Sequence, residues 1–416
     1  NPKVHELDGG FMITNPYTET RYLKTVEDYN IKWAEIHNHF PYYGNYAPDE
    51  DEWESVITHD YPELASPKEK LSRKKINQHI RDLHENKIKG LLYFQCSGDA
   101  LIPYAKKKFP DSIARDTSEK IIPVWKECCF TNASENTSFG RHIEAQIDKF
   151  IDDYPHIDGV FLDQMCYQTL DTAHKDGVTA HDNQPAAMFG HSYEKNLDKL
   201  SGILHQQGKV IWGNGPFNIE VQKNIDGIMA EGVSEISNTY KYLCLAKPLL
   251  VHTYPKTPEQ VETMFRHCLL NGASYSIGAS STLPLPDPVN NEVKIIFDKC
   301  IPLAEKLFGR KWVFTPTPLK LPERYEGNIF YSPNDRNVIL VSLVSKFNSL
   351  VTPDSSLEKN IEIQVDLQKL KPVSRIRQYS CHSKNTIAVE YKQTGNRIQI
   401  KIAEHSVMSV IIIKCE

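Results

Sequence analysis

Two short stretches of the chain share one layout. Asp158-Gly159-Val160-Phe161-Leu162-Asp163 and Asp226-Gly227-Ile228-Met229-Ala230-Glu231 each run Asp-Gly, three apolar residues, then an acid. Each reads as a short buried strand that delivers a carboxylate at its far end. Side chains alternate along a strand, so Asp163 shares a face with Phe161 and Glu231 with Met229, while Val160, Leu162, Ile228 and Ala230 take the other face. In a parallel α/β barrel both terminal acids would then cap the interior at the C-terminal mouth, where such barrels carry their catalytic groups. Asp158 and Asp226, at the opposite end, would make turn or helix contacts instead. Two carboxylates at one mouth suit the cleavage of a glycosidic bond. One attacks the anomeric carbon; the other, kept protonated by burial and a like charge, protonates the leaving oxygen and later activates water. On this scheme Asp163 is the nucleophile and Glu231 the acid/base. Taken singly, either acid could equally cap a helix or bind a backbone amide.

Other polar and aromatic residues fall at strand ends around the pair. His37 and His39 follow the first clear strand and open a loop containing Tyr43; Gln95 ends the next strand, and Gln164 follows Asp163. Asn214 ends the strand between the two acids, and His252 and Tyr254 end the strand after them. Flat aromatic faces with amides, imidazoles and carboxylates are what sugar rings and their hydroxyls require. These eight residues are the candidate substrate contacts, and the chemistry requires no metal or cofactor.

The elements that must position these groups follow from periodicity. Apolar strand-like runs at Ile31–His37, Lys89–Cys96, Gly159–Asp163, Lys209–Asn214, Gly227–Glu231, Pro248–Tyr254 and Ala273–Gly278 alternate with amphipathic helical stretches. Those helices carry Ile76, Ile80 and Leu83; Ile143, Ile147, Phe150 and Ile151; Leu197, Leu200, Ile203 and Leu204; and Val261, Met264, Phe265, Cys268 and Leu269. The alternation predicts an α/β fold with a parallel sheet. Seven strands are one short of a closed (β/α)8 TIM barrel, and the missing one is expected near Phe11–Thr14 or just before Ile31. Counting back from the last strand puts Asp163 on strand four and Glu231 on strand six. An open doubly wound sheet is the alternative, but its glycine-rich phosphate loop is not seen. After Pro316 the pattern changes to short strands separated by turn signals, including Ile387–Tyr391 as one strand, which predicts an antiparallel β-sandwich. The expected domains are an N-terminal extension (1–24) packed on the barrel, the barrel (25–315) and the sandwich (316–416).

Composition limits the partners. The 416 residues carry a net charge of −5, with 40% hydrophobic and 24% charged residues. This gives no basic face for nucleic acid and no apolar run of transmembrane length. Nine cysteines without framework spacing argue against a disulfide scaffold. The first residue is Asn and no signal peptide is visible, so the reading is a soluble protein whose compartment is open: secreted, periplasmic with the signal removed, or cytoplasmic. The oligomeric state is open too. Asn132-Ala133-Ser134 and Asn136-Thr137-Ser138 fit the glycosylation acceptor pattern.

The strand-end phrase Gly159-Val160-Phe161-Leu162-Asp163 resembles the nucleophile strand of retaining α-glycosidases with catalytic barrels. That group contains α-galactosidases, α-glucosidases and endo-α-N-acetylgalactosaminidases. The resemblance implies the nucleophile on strand four, the acid/base on strand six and a C-terminal β-sandwich. Glu at position 231, with the aromatic loop Phe40-Pro41-Tyr42-Tyr43, looks most like the endo-α-N-acetylgalactosaminidase branch. It implies an α-linked oligosaccharide, polysaccharide or glycoconjugate as substrate, with retention. The chain departs from the pattern in lacking a clear Trp-rich third strand. Two other readings stay open here: a non-catalytic glycan-binding barrel, and a metal-dependent amidohydrolase using His37-x-His39. An endo-polygalactosaminidase-type barrel would change the substrate but not the chemistry.

Overall fold

The computed structural model describes residues 7–17, 23, 26–55, 70–96, 98–124, 127–165, 169–215, 218–231, 247–253, 255, 257–277, 291–351 and 357–416. Eight parallel strands follow one another around a barrel: β1 (Gly10–Thr14), β2 (Ile31–Ile36), β3 (Lys89–Phe94), β4 (Gly159–Leu162), β5 (Val210–Asn214), β6 (Gly227–Glu231), β7 (Leu249–His252) and β8 (Ser274–Tyr275). β8 meets β1 through a parallel bridge between Phe11 and Ser276, and the Ile277 N–H donates to the Phe11 carbonyl at 2.9 Å. The sheet is therefore a barrel and not an open doubly wound layer. Asp163 follows strand four and Glu231 ends strand six.

The missing strand is the first one, and it lies within the segment assigned to an N-terminal extension. β1 is short and buried on both faces, so it shows no alternation, and the barrel begins at Gly10 instead of residue 25. Helices α1 (Arg73–Glu85), α2 (Ser138–Asp153), α3 (Glu194–Gln206), α4 (Pro258–Asn271) and α5 (Asn291–Ala304) pack around it. Their starts are set chemically. Ser72 and Thr137 accept the amides of Lys75 and Gly140, and Thr257 with Gln260 forms a capping box before Pro258. Inside the barrel the ring of Phe11 lies 5.9 Å from Phe161, 6.5 Å from Trp212 and 6.2 Å from His252.

The two Asp-Gly motifs build the same device at the bottom of the barrel. Asp158 accepts from Gly90 N on β3 and from His84 Nε2 in the last turn of α1, both at 2.8 Å. Asp226 accepts from Ile211 N on β5 at 2.9 Å and from His205 Nε2 in the last turn of α3 at 2.8 Å. Lys209, entering β5, donates to the carbonyls of Pro155 and Ile157; Lys247, entering β7, donates to those of Gln222 and Ile225. Both glycines face β5. A Cβ on Gly159 would sit 2.1 Å from the Val210 carbonyl oxygen, and one on Gly227 2.6 Å from the Trp212 indole.

The C-terminal strands are β9 (Lys311–Trp312), β10 (Leu319–Lys320), β11 (Tyr325–Tyr331), β12 (Val338–Ser345), β13 (Glu358–Asp366), β14 (Val373–Ser380), β15 (Ser383–Ala388), β16 (Glu390–Thr394), β17 (Arg397–His405) and β18 (Met408–Cys415). They form antiparallel sheets ordered β9-β11-β12-β18-β14-β15 and β10-β13-β17-β16. Ile363, Val365, Ile398 and Ile400 of one sheet close over Val341, Leu343, Ile411 and Ile413 of the other. Two expectations change. The segment Ile387–Tyr391 is not one strand: it divides at buried Val389, where the chain crosses between sheets, and a uniform apolar-polar pattern cannot show such a crossing. The sandwich also starts before residue 316, because β9 pairs with β11. Among the described residues no helix is long and apolar enough to cross a membrane. Asn132 is 1% exposed, so its acceptor triplet is closed in the folded chain.

The sandwich docks on α4. Leu340, Val344, Met408 and Val410 continue the barrel core across the boundary. Buried Glu262 pairs with Arg266 through both guanidinium Nε (2.8 Å) and Nη2 (2.6 Å), and accepts from Ser349 Oγ and Leu350 N at 2.7 Å each. Arg266 donates in turn to the carbonyls of Ser345 and Asn348. Removing one partner of such a buried pair costs about 3–5 kcal/mol. Glu262→Ala should lower the urea midpoint accordingly while leaving the barrel mouth unchanged. Asp158→Asn and Asp226→Asn each weaken one staple and should cost about 1–3 kcal/mol in unfolding, with no direct loss of chemistry.

Candidate active site

The mouth is built on three adjacent strands. Asn214, at the end of β5, donates from a single nitrogen, Nδ2, to Asp163 Oδ1 at 2.7 Å and to Glu231 Oε2 at 3.2 Å. Those two oxygens cannot be further apart than the two bonds laid end to end, roughly 6 Å, so the two carboxyls face one another across one amide. Tyr93 of β3 donates its hydroxyl to Asp163 Oδ2 at 2.9 Å. Gln95 donates to the Tyr93 oxygen at 2.6 Å and accepts from Tyr46 at 3.2 Å. Asp163 thus has each of its oxygens held by a neutral donor, which fixes the orientation of its carboxyl.

Glu231 stands at the rim, exposed on one side. Its carboxyl titrates above the ordinary glutamate value. Burial of the carboxyl is the main cause, the Asn214 hydrogen bond opposes it, Asp163 adds to it and His37 opposes it. A carboxyl biased toward its neutral form is suited to give up a proton.

A third carboxyl belongs to the same cluster and went unread in the sequence. Glu35 on β2 is 2% exposed and bonds His37 Nδ1 at 2.5 Å. Burial raises its pKa more than His37 lowers it, and the charges of Asp163 and Glu231 raise it further. The available signal was an acid inside the apolar run Ile31–Ile36, two residues before His37 and so on the same strand face. The same spacing joins Tyr93 to Gln95.

Three turns at the mouth share a backbone device. Asn38 (φ 51°), Gln164 (φ 59°) and Gly215 (φ 66°) all take left-handed conformations directly after His37, Asp163 and Asn214. The turn at Asn38 corrects one expectation. Strand alternation would put His37 and His39 on one face, but the left-handed residue between them sends His39 outward. His39 is fully buried, bonds the Tyr93 carbonyl through Nε2 at 2.8 Å and packs on Phe40, Phe150 and Tyr154; burial pushes its pKa down to about 4. It supports β3 from behind and is no substrate contact. The amidohydrolase His-x-His pair is therefore not assembled, and among the described residues no group of three or more His, Cys, Asp or Glu side chains is arranged to hold a metal ion.

The remaining candidates divide similarly. His37 faces the acids with its ring against Tyr93, centroids 4.4 Å apart. Tyr43 is buried against Phe40, next to the phenols of Tyr46 and Tyr93. Gln95 is fully buried and acts on Asp163 only through Tyr93, and not as the direct sugar contact expected of a strand-end amide. His252 pairs in register with Glu231 but is buried within the barrel, bonding Ser276 at 2.8 Å; burial lowers its pKa to about 4. Tyr254 lies outside the described residues.

No protein-family model matches the sequence, and no curated protein matches it. Solved structures do share the architecture. A cycloisomaltooligosaccharide glucanotransferase from Paenibacillus sp., complexed with cycloisomaltoheptaose, aligns with a TM-score of 0.69 at 10% identity over 99% of this chain and 86% of its own. An α-L-fucosidase isoenzyme 2 from Paenibacillus thiaminolyticus gives 0.63 at 10% identity over 99% and 100%. A maltogenic α-amylase from Thermotoga neapolitana gives 0.61 at 9% identity over the whole of both chains. At such identities the likeness establishes the fold: a (β/α)8 barrel followed by a β-sandwich.

Asn214 supplies the hydrogen bond that favours the charged form of Glu231. Its loss in Asn214→Ala raises the pKa of Glu231, so any activity that needs the protonated acid should persist to higher pH. The alkaline limb of kcat/KM should move up, while its maximum falls roughly 10- to 100-fold from lost positioning; a pH–rate profile checks both.

Proposed function

We propose that the protein is a glycoside hydrolase that cleaves an α-linked sugar with retention of configuration. The observation that carries this reading is the single Asn214 amide held between Asp163 and Glu231, which brings one oxygen of each carboxyl within roughly 6 Å of the other, as two cooperating carboxyls require. The α preference rests on the sequence resemblance to retaining α-glycosidases, with the α-L-fucosidase among the structural neighbours in agreement.

In the first step an Asp163 oxygen bonds the anomeric carbon while the bond to the leaving oxygen breaks, and Glu231 gives that oxygen its proton. A glycosyl ester and a glutamate carboxylate result. In the second step the Glu231 carboxylate takes a proton from water, the water oxygen bonds the anomeric carbon, and Asp163 leaves as a carboxylate. Glu231 ends protonated, as it began. The hydrogen bonds from Tyr93 and Asn214 hold the Asp163 carboxyl in place for attack and receive it again after hydrolysis.

A panel of activated aryl α-glycosides, with NMR of the first-formed anomer, tests the reaction: retention is expected, and a first-formed anomer of inverted configuration would overturn the double displacement. Asp163→Asn should abolish turnover. Glu231→Gln should lose about 10²–10⁴-fold on substrates with poor leaving groups. Asp158→Asn, at the far end of the barrel, should retain turnover. Full activity in Asp163→Asn would overturn the assignment.

A further inference from the structure

The third acid at the mouth has no place in a two-carboxylate mechanism. Glu35 is almost wholly buried on β2, and its side-chain partner among the described residues is His37 Nδ1 at 2.5 Å. The His37 side chain keeps 21% of its surface exposed, and its other ring nitrogen, Nε2, meets no partner among the described residues. The ring is fixed from two sides: Glu35 grips Nδ1, and Tyr93 meets it edge to face. One imidazole therefore has one nitrogen anchored in the protein and the other open to the mouth.

Charge gives this arrangement a purpose. The groups that face His37 are Glu35 from its own strand, Tyr93 from β3, Asp163 after β4 and Glu231 on β6, with neutral His39 behind. Among the described residues no lysine or arginine pairs with Glu35, Asp163 or Glu231. We infer that Glu35 and His37 form a dyad that carries a positively charged hydrogen-bond donor into the site, binding a sugar hydroxyl through Nε2 and balancing the charge of the two catalytic carboxylates. This rests on the glycosidase reading for the identity of the ligand, but not for the dyad itself. Glu35 is a positioning residue that acts through His37; His37 is the group that touches substrate.

The titration behaviour agrees. Burial, the largest influence on His37, disfavours the imidazolium. The charge and hydrogen bond of Glu35, followed by Asp163 and Glu231, more than offset it, so His37 titrates above the ordinary histidine value. Between the pKa of Glu35 and that of His37 the dyad is an ion pair. Above the His37 value the imidazole becomes neutral, and Nε2 can then no longer donate while Nδ1–H stays bonded to Glu35.

The test combines a direct titration with kinetics. Histidine ring signals of isotopically labelled protein are followed by NMR against pH, with the His37 signal identified by its loss in His37→Gln. The wild-type signal should titrate above the ordinary histidine range, and Glu35→Gln should shift its midpoint down by about one pH unit or more, a tenfold change in proton affinity. On an activated aryl α-glycoside, His37→Gln should raise KM roughly 10- to 100-fold, with a smaller loss in kcat, as removal of a charged hydrogen bond to substrate does. Glu35→Gln should have the same effect to a lesser degree and bring the alkaline limb to lower pH. An unmoved His37 titration in Glu35→Gln, or wild-type KM and pH profile in His37→Gln, overturns the dyad. If Glu35→Gln fails to fold, the partly exposed His37→Gln decides alone. Failure of the glycosidase reading would show separately, as activity surviving in Asp163→Asn, and leaves the NMR titration valid.

Discussion

The mouth depends on how closely β4 and β6 approach the strand between them. Gly159 meets the Val210 carbonyl and Gly227 the Trp212 ring at distances that leave no room for a Cβ. At the other end of the same strands, Asn214 reaches an acid on either flank. At the bottom of the barrel the same strands are tied to their neighbours by the paired staples of Asp158 and Asp226. The Asp-Gly dipeptide and the terminal acid thus mark the two ends of one strand, the first stapled to its neighbours and the last at the mouth.

The duplication of this unit extends beyond the strings themselves. Each copy uses a histidine from the last turn of the helix that leads into the preceding strand, an amide from that strand and a lysine from the following one. Every partner is polar and most are partly buried, so each staple satisfies groups that would otherwise be costly to enclose. Successive pairs of βα units are therefore held in register by the same chemistry.

Much of this was legible in the sequence, because it follows from periodicity. The order of the strands, the positions of Asp163 and Glu231 on the fourth and sixth, the apolar faces of α1 to α4 and the change to short strands after the barrel all come from spacings of two and 3.6 residues. What escaped was local or non-periodic. β1 is buried on both faces and leaves no alternation; the break at Val389 is a crossing between sheets; Lys311–Trp312 is too short to stand out. Within the site, Asn38 defeated a correct use of strand alternation, since one left-handed residue reverses the side on which His39 falls. Glu35 was missed for the opposite reason. It lies inside the strand and not at its end, and only alternation carried back from His37 puts it on the site's face.

The left-handed residues that follow His37, Asp163 and Asn214 separate two kinds of structure. Up to those points the chain is strand, braced by the ladder on either side; beyond them it is loop. Each bend is completed within a single residue, so the chain past it can lengthen, shorten or change composition without moving the functional group it has just left. The barrel thereby insulates its chemistry from its walls. The floor is inherited rigidly from the strands, and the loops are free to be rebuilt around ligands of different size and shape.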